Sequence, residues 1–440
     1  MFHGGEYSTD LQESTVPSGR RDKHIGKALS SAADVSSGRF ANRAICAIVT
    51  STMKLCIHNA TVLNGISQMD DCAVFIDGGK IADIFSENRF RQKTFDKDVA
   101  LIDARGMYVA PGLIDTHIHG FKGHGTDDCT TEGMLRMSDD LADYGVTSFN
   151  PTMYPSDEAT MISSIKAIVH AMGQEKGAKI MGIHLEGPFI SPYKLGVQRP
   201  ETVRSVDLDL MERLWKASEG HIVNMTVAPE LKDMRRLALM CIDKGIVLQA
   251  GHTDAAYSNM VEGMQAGIFH ATHFFNAMSQ MHHRNPGAVG AVLIHQEMTC
   301  EIIADGVHVH PDLFKLLQKD KTSDQIVLVT DALTPTEETG EHLTANGEEV
   351  VFKDGCFHRK SDDVIAGSAL TMIRGLKNLV SFGFPLSDAV KCASTNPARI
   401  MKYAKKGMLV PGYDSDVIVF DKDFSLRFVM VQGRTVKNVF

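Results

Sequence analysis

Val109-Ala110-Pro111-Gly112-Leu113-Ile114-Asp115-Thr116-His117-Ile118-His119-Gly120 is an apolar run that ends in a His-x-His pair. On a strand, residues i and i+2 share a face, so His117 and His119 point to the same spot where the strand stops. Two imidazoles placed in this way can share one metal ion. The reading of the fold depends on whether other strand ends aim ligands at the same place.

Between residues 112 and 405, apolar strand-like runs alternate with helical stretches at the spacing of repeated βα units, and eight such runs end near His119, Met153, Glu186, Pro229, His252, His273, Asp305 and Asp331. Eight units predict an α/β fold of the (β/α)8, TIM-like barrel type, with its active site at the C-terminal ends of the strands. Glu186 stands where an apolar strand meets Gly187-Pro188, while Gln249-Ala250-Gly251-His252, Ala271-Thr272-His273 and Val329-Thr330-Asp331 close three further strands. Any one of these side chains is explained as a hydrogen-bonded or capping residue. Together they form a metal constellation: Glu186, His252, His273, His117 and His119, with Asp331 beside them.

Imidazole and carboxylate donors without thiolate suit zinc, iron(II), manganese(II) or cobalt(II), with one or two ions per chain and zinc as the default. Such an ion lowers the pKa of bound water to about 7. Asp331 is then the natural catalytic base, taking the water's proton and later delivering it to a leaving group.

The flanking segments differ in texture. Leu55 to Ile57, Ala73 to Ile76 and Lys80 to Phe85, the last after an Asp77-Gly78-Gly79 turn, are short β-type runs, and Asp416 to Asp421 and Arg427 to Val431 match them at the other end. The expected organisation is a small β-sandwich domain formed by 53–110 and 406–440, the barrel over 111–405, and a Ser-rich, disordered leader over 1–52.

The balance of 45 Lys plus Arg against 54 Asp plus Glu, with no long basic run, excludes a nucleic-acid partner. No apolar run reaches the roughly 20 residues of a membrane span. Eight scattered cysteines without a C-x-x-C pair suit a reduced, cytoplasmic protein.

His184-Leu185-Glu186-Gly187-Pro188-Phe189, His273-Phe274-Phe275-Asn276-Ala277-Met278, His283-Arg284-Asn285-Pro286-Gly287, Ile303-Ala304-Asp305-Gly306-Val307-His308 and Gly367-Ser368-Ala369-Leu370-Thr371-Met372 carry a resemblance. In this order they resemble the amidohydrolase superfamily and, within it, the N-acetylglucosamine-6-phosphate deacetylase family, over about residues 54 to 440. The resemblance implies hydrolysis of the acetamide of N-acetylglucosamine 6-phosphate to glucosamine 6-phosphate and acetate, in amino-sugar catabolism or recycling. It implies Glu186, His252 and His273 as the main metal ligands, with His117 and His119 at a second position that some relatives fill. For the substrate it implies phosphate contacts from Arg284 and His308. The Asp305-Gly306-Val307 turn, Asn276 and Ala277, and the main chain of Ile365-Ala366-Gly367 accompany them. An arginine at this place reaches the neighbouring subunit in the family, so a homodimer is implied. One departure stands out. Many relatives carry a histidine near the scissile carbonyl where this chain has Gly196-Val197-Gln198; Val197 and Gln198 are expected at the substrate, where Gln198 donates an N–H to the carbonyl oxygen or a sugar hydroxyl but carries no charge. Two alternatives remain: a related amidohydrolase acting on another N-acyl amino sugar, and a non-catalytic scaffold.

Overall fold

The computed structural model describes residues 54–440 apart from 339 and 341, and the expected leader over 1–52 lies outside them. The first strands are β1 (Lys54–Leu63), β2 (Gln68–Asp77) and β3 (Lys80–Ser86), followed by helix α1 (Glu87–Gln92), β4 (Val99–Asp103) and β5 (Tyr108–Pro111). Gly78 and Gly79 take φ of 57° and 74° in the β2–β3 turn, the conformation that a tight hairpin demands. β1 pairs antiparallel with β2 and parallel with β4 and β5.

Eight parallel strands then follow: β6 (Leu113–Ile118), β7 (Val146–Met153), β8 (Ile183–Glu186), β9 (Ile222–Val227), β10 (Val247–Ala250), β11 (His270–Ala271), β12 (Thr299–Ile303) and β13 (Ile326–Val329). Neighbours in the chain are neighbours in the sheet, and their C-terminal ends stay level: Glu186 sits beside Thr226, Val227 beside Ala250, Ala250 beside Ala271, and Ile303 beside Val329. The ring closes between its first and last strands just past their ends. Asp331 N donates to His117 O at 2.9 Å and His119 N to Ala332 O at 3.0 Å.

The helices α2 (Thr131–Asp143), α3 (Glu158–Ala171), α4 (Leu208–Ala217), α5 (Met234–Asp243), α6 (Tyr257–Gln265), α7 (Gly287–Ile294), α8 (Pro311–Asp320) and α9 (Met372–Ser381) complete the (β/α)8 barrel. Thr130, Asp157 and Asp207 accept from the backbone N–H of Gly133, Thr160 and Leu210, which satisfies a donor in the first turn of α2, α3 and α4. No helix among the described residues is long and apolar enough to cross a membrane.

The chain returns to the small domain through β18 (Val417–Phe420), β19 (Leu426–Val431) and β20 (Arg434–Asn438), with β18 antiparallel to β5. The result is one eight-stranded sheet, and Leu55, Val74, Ile76, Val109, Val417, Val419 and Phe428 from its two ends share a core. Apolar residues of both chain ends are buried against each other, which is why the first and last segments carry the same alternation.

The stretch expected to be barrel throughout contains a further element. Between β13 and α9 lies a four-stranded antiparallel sheet made of β14 (Leu343–Ala345), β15 (Glu348–Lys353), β16 (Cys356–Arg359) and β17 (Ile365–Ser368). Its hairpins turn at Asn346-Gly347 and Asp354-Gly355, with φ above zero at all four residues. This sheet brings Ile365–Gly367 to the barrel mouth.

Candidate metal centre and active site

His117 lies within β6, and Glu186 is the last residue of β8. His252, His273 and Asp331 each fall two residues past the ends of β10, β11 and β13. These three take φ of 45°, 26° and 49°, in the left-handed region that non-glycine residues avoid. Residues held there cost local free energy and collect at functional sites. Here each turn redirects a side chain from the strand into the centre of the barrel mouth.

Glu186 is the hub. Its Oε1 lies 3.2 Å from His252 Nε2, 3.1 Å from His273 Nε2 and 3.3 Å from His117 Nε2. Its Oε2 lies 3.3 Å from His119 Nε2. Asp331 Oδ1 stands 3.5 Å from His117 Nε2 and 3.4 Å from His119 Nε2. Two triads result, His117–His119–Asp331 and Glu186–His252–His273, all buried.

Ring protons can be assigned from the partners. A carbonyl only accepts, so the 2.9 Å contact between His252 Nδ1 and Lys194 O puts a proton on Nδ1, and Nε2 is the nitrogen that faces Glu186 Oε1. The buried Nε2 of His117 has no hydrogen-bond partner. Converging imidazole Nε2 atoms and carboxylate oxygens, with His117 Nε2 left unsatisfied among them, fit a divalent cation.

Burial opposes charge on Glu186 and Asp331, yet neighbours of opposite sign override it. Desolvation would raise the Glu186 pKa, but His252 and His117 hold it well below the ordinary carboxylate value. Desolvation likewise opposes ionisation of Asp331, and His117 and His119 keep its pKa low. Asp331 is therefore an ionised acceptor at neutral pH, as a general base must be. A fifth histidine, His184, is different: burial and the neighbouring His117 push its pKa well down, and it lies between Thr152 Oγ1 and Thr226 Oγ1 at 3.0 and 2.9 Å. It braces the barrel beneath the ligands.

A cavity of about 280 Å³ opens over this cluster, near the lower bound for ligand sites. Of the substrate residues expected from sequence, Val197, Gln198, Asn276, Ala277, His308, Ile365, Ala366 and Gly367 line it, with Glu186, His252, His273, His119 and Asp331 at its floor. Asp305, Gly306 and Val307 do not line it. Instead the Asp305 carboxylate accepts from His308 Nδ1 at 2.6 Å and from the backbone N–H of Val307 and His308 at 2.9 Å. Burial disfavours the His308 cation, but Asp305 outweighs it and raises the His308 pKa. Arg284 is also outside the cavity, exposed on the loop before α7 with its guanidinium against His283 Nε2 at 2.8 Å. Gly367, at φ 154°, permits a close approach of protein rather than ligand: a Cβ there would lie 2.6 Å from Leu333 Cδ2.

Gln198 lines the cavity and also reaches its floor. Its Nε2 donates to Glu186 Oε2 at 2.6 Å, so the amide orients the hub carboxylate, while its buried Oε1 is left without a partner. Two residues escaped the sequence reading altogether. Tyr154, one residue past β7, stacks on His119 at 3.8 Å and 6° and walls the cavity. Glu301, a charge inside the apolar run of β12, contacts His117 Nδ1 at 2.9 Å. A lone carboxylate among Cys300, Ile302 and Ile303 was the available signal.

Residues 108–436 match the amidohydrolase family. The chain belongs to that family. It is 30% identical over 392 residues to the N-acetylglucosamine-6-phosphate deacetylase of Lysinibacillus sphaericus, covering 87% of this chain and 97% of the relative. The amidohydrolase fold seen here resembles that of N-acetylglucosamine-6-phosphate deacetylase from Pasteurella multocida, with TM-score 0.82, 28% identity and coverage of 88% of this chain and 100% of that one. It also resembles a variant of the Mycobacterium smegmatis enzyme in complex with N-acetyl-D-glucosamine-6-phosphate, with TM-score 0.81, 26% identity and the same coverage. Amidohydrolases typically depend on divalent metal, and this chain presents two residue groups able to hold it.

Proposed function

We propose that this chain hydrolyses the acetamide of N-acetyl-D-glucosamine 6-phosphate, giving D-glucosamine 6-phosphate and acetate, as a cytoplasmic homodimer in amino-sugar catabolism. The single observation that carries the reading is the convergence of two triads, His117–His119–Asp331 and Glu186–His252–His273, at the floor of a monosaccharide-sized cavity. Relatives of this name, at about this identity over most of their length, support the substrate.

Glu186, His252 and His273 would hold one divalent ion, and His117, His119 and Asp331 a second, with zinc the first expectation. When bound, such an ion acts as a Lewis acid toward the acetyl carbonyl and makes water a stronger acid. Asp331 accepts the proton of the attacking water and passes it to the departing amine nitrogen. Gln198 keeps the Glu186 carboxylate in one orientation, so the hub does not rotate as charge develops. His308, whose cationic form Asp305 favours, faces the phosphate, and Arg284 supplies a cation across the dimer. Asn276, Ala277 and the Ile365–Gly367 main chain surround the sugar, and Tyr154 excludes water behind His119.

Acetate release from N-acetylglucosamine 6-phosphate, compared with unphosphorylated N-acetylglucosamine, tests this reading. Turnover of the phosphorylated sugar with far higher kcat/KM supports it. Equal kcat/KM for the two contradicts the phosphate-binding role of His308 and Arg284.

A further inference from the structure

We infer that Glu301 is the positioning residue that makes the His117–His119–Asp331 triad a cation site and ties it to the Glu186–His252–His273 triad. The inference rests on the two-ion reading above. Glu301 lies on β12, is completely buried, and is not among the residues that line the cavity, so it touches no substrate.

Its two oxygens make three contacts that link the two triads. Oε2 accepts from His117 Nδ1 at 2.9 Å and from the backbone N–H of His273 at 3.1 Å. Oε1 accepts from Gln249 Nε2 at 3.0 Å. One carboxylate oxygen therefore orients His117, of one triad, and secures the backbone of His273, of the other. The His273 main chain that it holds is the one strained at φ 26°.

The chemical consequence concerns the tautomer of His117. An imidazole has one proton to place when neutral, and the ring nitrogen without it can ligate a metal. With Glu301 drawing the proton onto Nδ1, the Nε2 lone pair faces the space between Glu186 Oε1 and Asp331 Oδ1, at 3.3 and 3.5 Å. Without Glu301 the preference reverses. The same two carboxylates would draw the proton onto Nε2, and His117 would become a hydrogen-bond donor to them instead of a metal ligand. Glu301 thus decides whether this corner of the barrel is a cation site or a closed hydrogen-bonded cluster. Carboxylates behind ligating histidines act in this way generally, and their loss lowers metal affinity about 10- to 100-fold.

The test uses the full chain, stripped of metal and reloaded with zinc or cobalt(II) in the absence of substrate, with ions per chain and the affinity of each read by chelator competition. Wild type is expected to take two ions. Glu301→Gln, nearly isosteric, is expected to hold the first ion as wild type does and to bind the second about 10- to 100-fold more weakly, with loss of the corresponding cobalt absorption band. A purely structural role would weaken both ions together, and that outcome overturns the proposal. Two ions bound with wild-type affinity in Glu301→Gln overturn the role of Glu301 while the two-ion reading stands. A wild type that loads a single ion overturns both, and neither result depends on whether the sugar phosphate is turned over. Should Glu301→Gln fail to fold, Glu301→Asp keeps the charge but withdraws it by one methylene. It is expected to lose the second ion selectively, and two tight ions in it contradict the inference.

Discussion

The floor of the cavity and its rim are held in place by different means. Glu186, His117, His119, His252 and His273 stand on strand ends or one turn beyond, are buried, and contact one another or fixed backbone groups. The rim is made of loops and of the sheet inserted after β13, and Arg284, outside the cavity, is exposed with a histidine as its partner. On the floor, parallel strands in register fix where each side chain starts, so positions follow from the fold. On the rim, positions follow from loop contacts, which the proposed substrate and partner subunit would complete. Changes to the floor should therefore alter chemistry and metal binding, and changes to the rim should alter affinity.

The largest expected effect falls on Asp331. Asp331→Asn removes the proton acceptor while leaving its shape, and kcat is expected to fall about 100- to 10,000-fold in a steady-state assay with KM little changed. Near-native kcat in that variant would place the general base elsewhere.

Metal removal should act on the same floor through stability. A cation that binds only the folded chain stabilises it by mass action. Saturation at 1,000 times Kd is expected to add about 4 kcal/mol of apparent stability. Thermal unfolding with and without chelator measures this, and an unchanged midpoint would contradict tight binding.

At the rim, His308→Gln should raise KM for the phosphorylated sugar about tenfold with kcat nearly unchanged, the weight of one charge-assisted hydrogen bond. The pH dependence of wild type sharpens the point. The pKa of His308 is raised in the folded chain and that of Asp305 is lowered. The histidine's share of the pair's stability is fully present below its unfolded pKa and is lost as pH rises through the raised folded value. The aspartate's share is present above its unfolded pKa and is lost as pH falls through the depressed one. KM is accordingly expected to climb on the alkaline side, above the ordinary imidazole range, and His308→Gln should abolish that climb.

The smallest effect on the isolated subunit belongs to Arg284. Arg284→Ala should change folding stability by no more than about 0.5 kcal/mol, as exposed positions do. A rise in KM in the same variant would mark the arginine as a contact completed by the partner subunit, and an unaltered KM would remove it from the site.

The same contrast accounts for what could be read from the sequence. The strand-end side chains are legible because a strand fixes its face by alternation, so His117, His119 and Glu186 mark both the barrel and its mouth. Asp305 was found as a motif residue, but whether it touches ligand or orients His308 depends on a turn geometry that residue order does not specify. Gln198 was noticed as a departure, yet its partner, Glu186, becomes visible only once the loop after β8 is folded back over the strand end. The inserted sheet left clear traces in Asn346-Gly347 and Asp354-Gly355, which a count of βα units passes over. Glu301 needed the packing itself, because a buried charge on an inner strand face reveals its purpose only through what it touches.

The account is tested most directly by measuring deacetylation of N-acetylglucosamine 6-phosphate and divalent-metal content on one sample, before and after chelation and again after metal is restored. The expected result is acetate and free amine released in equal amounts by metal-loaded protein, loss of turnover on stripping, and its recovery on reloading. Full turnover in protein shown to hold no metal, or no turnover in fully loaded protein, would contradict the claim that this buried histidine–carboxylate cluster is a metal-dependent deacetylase centre.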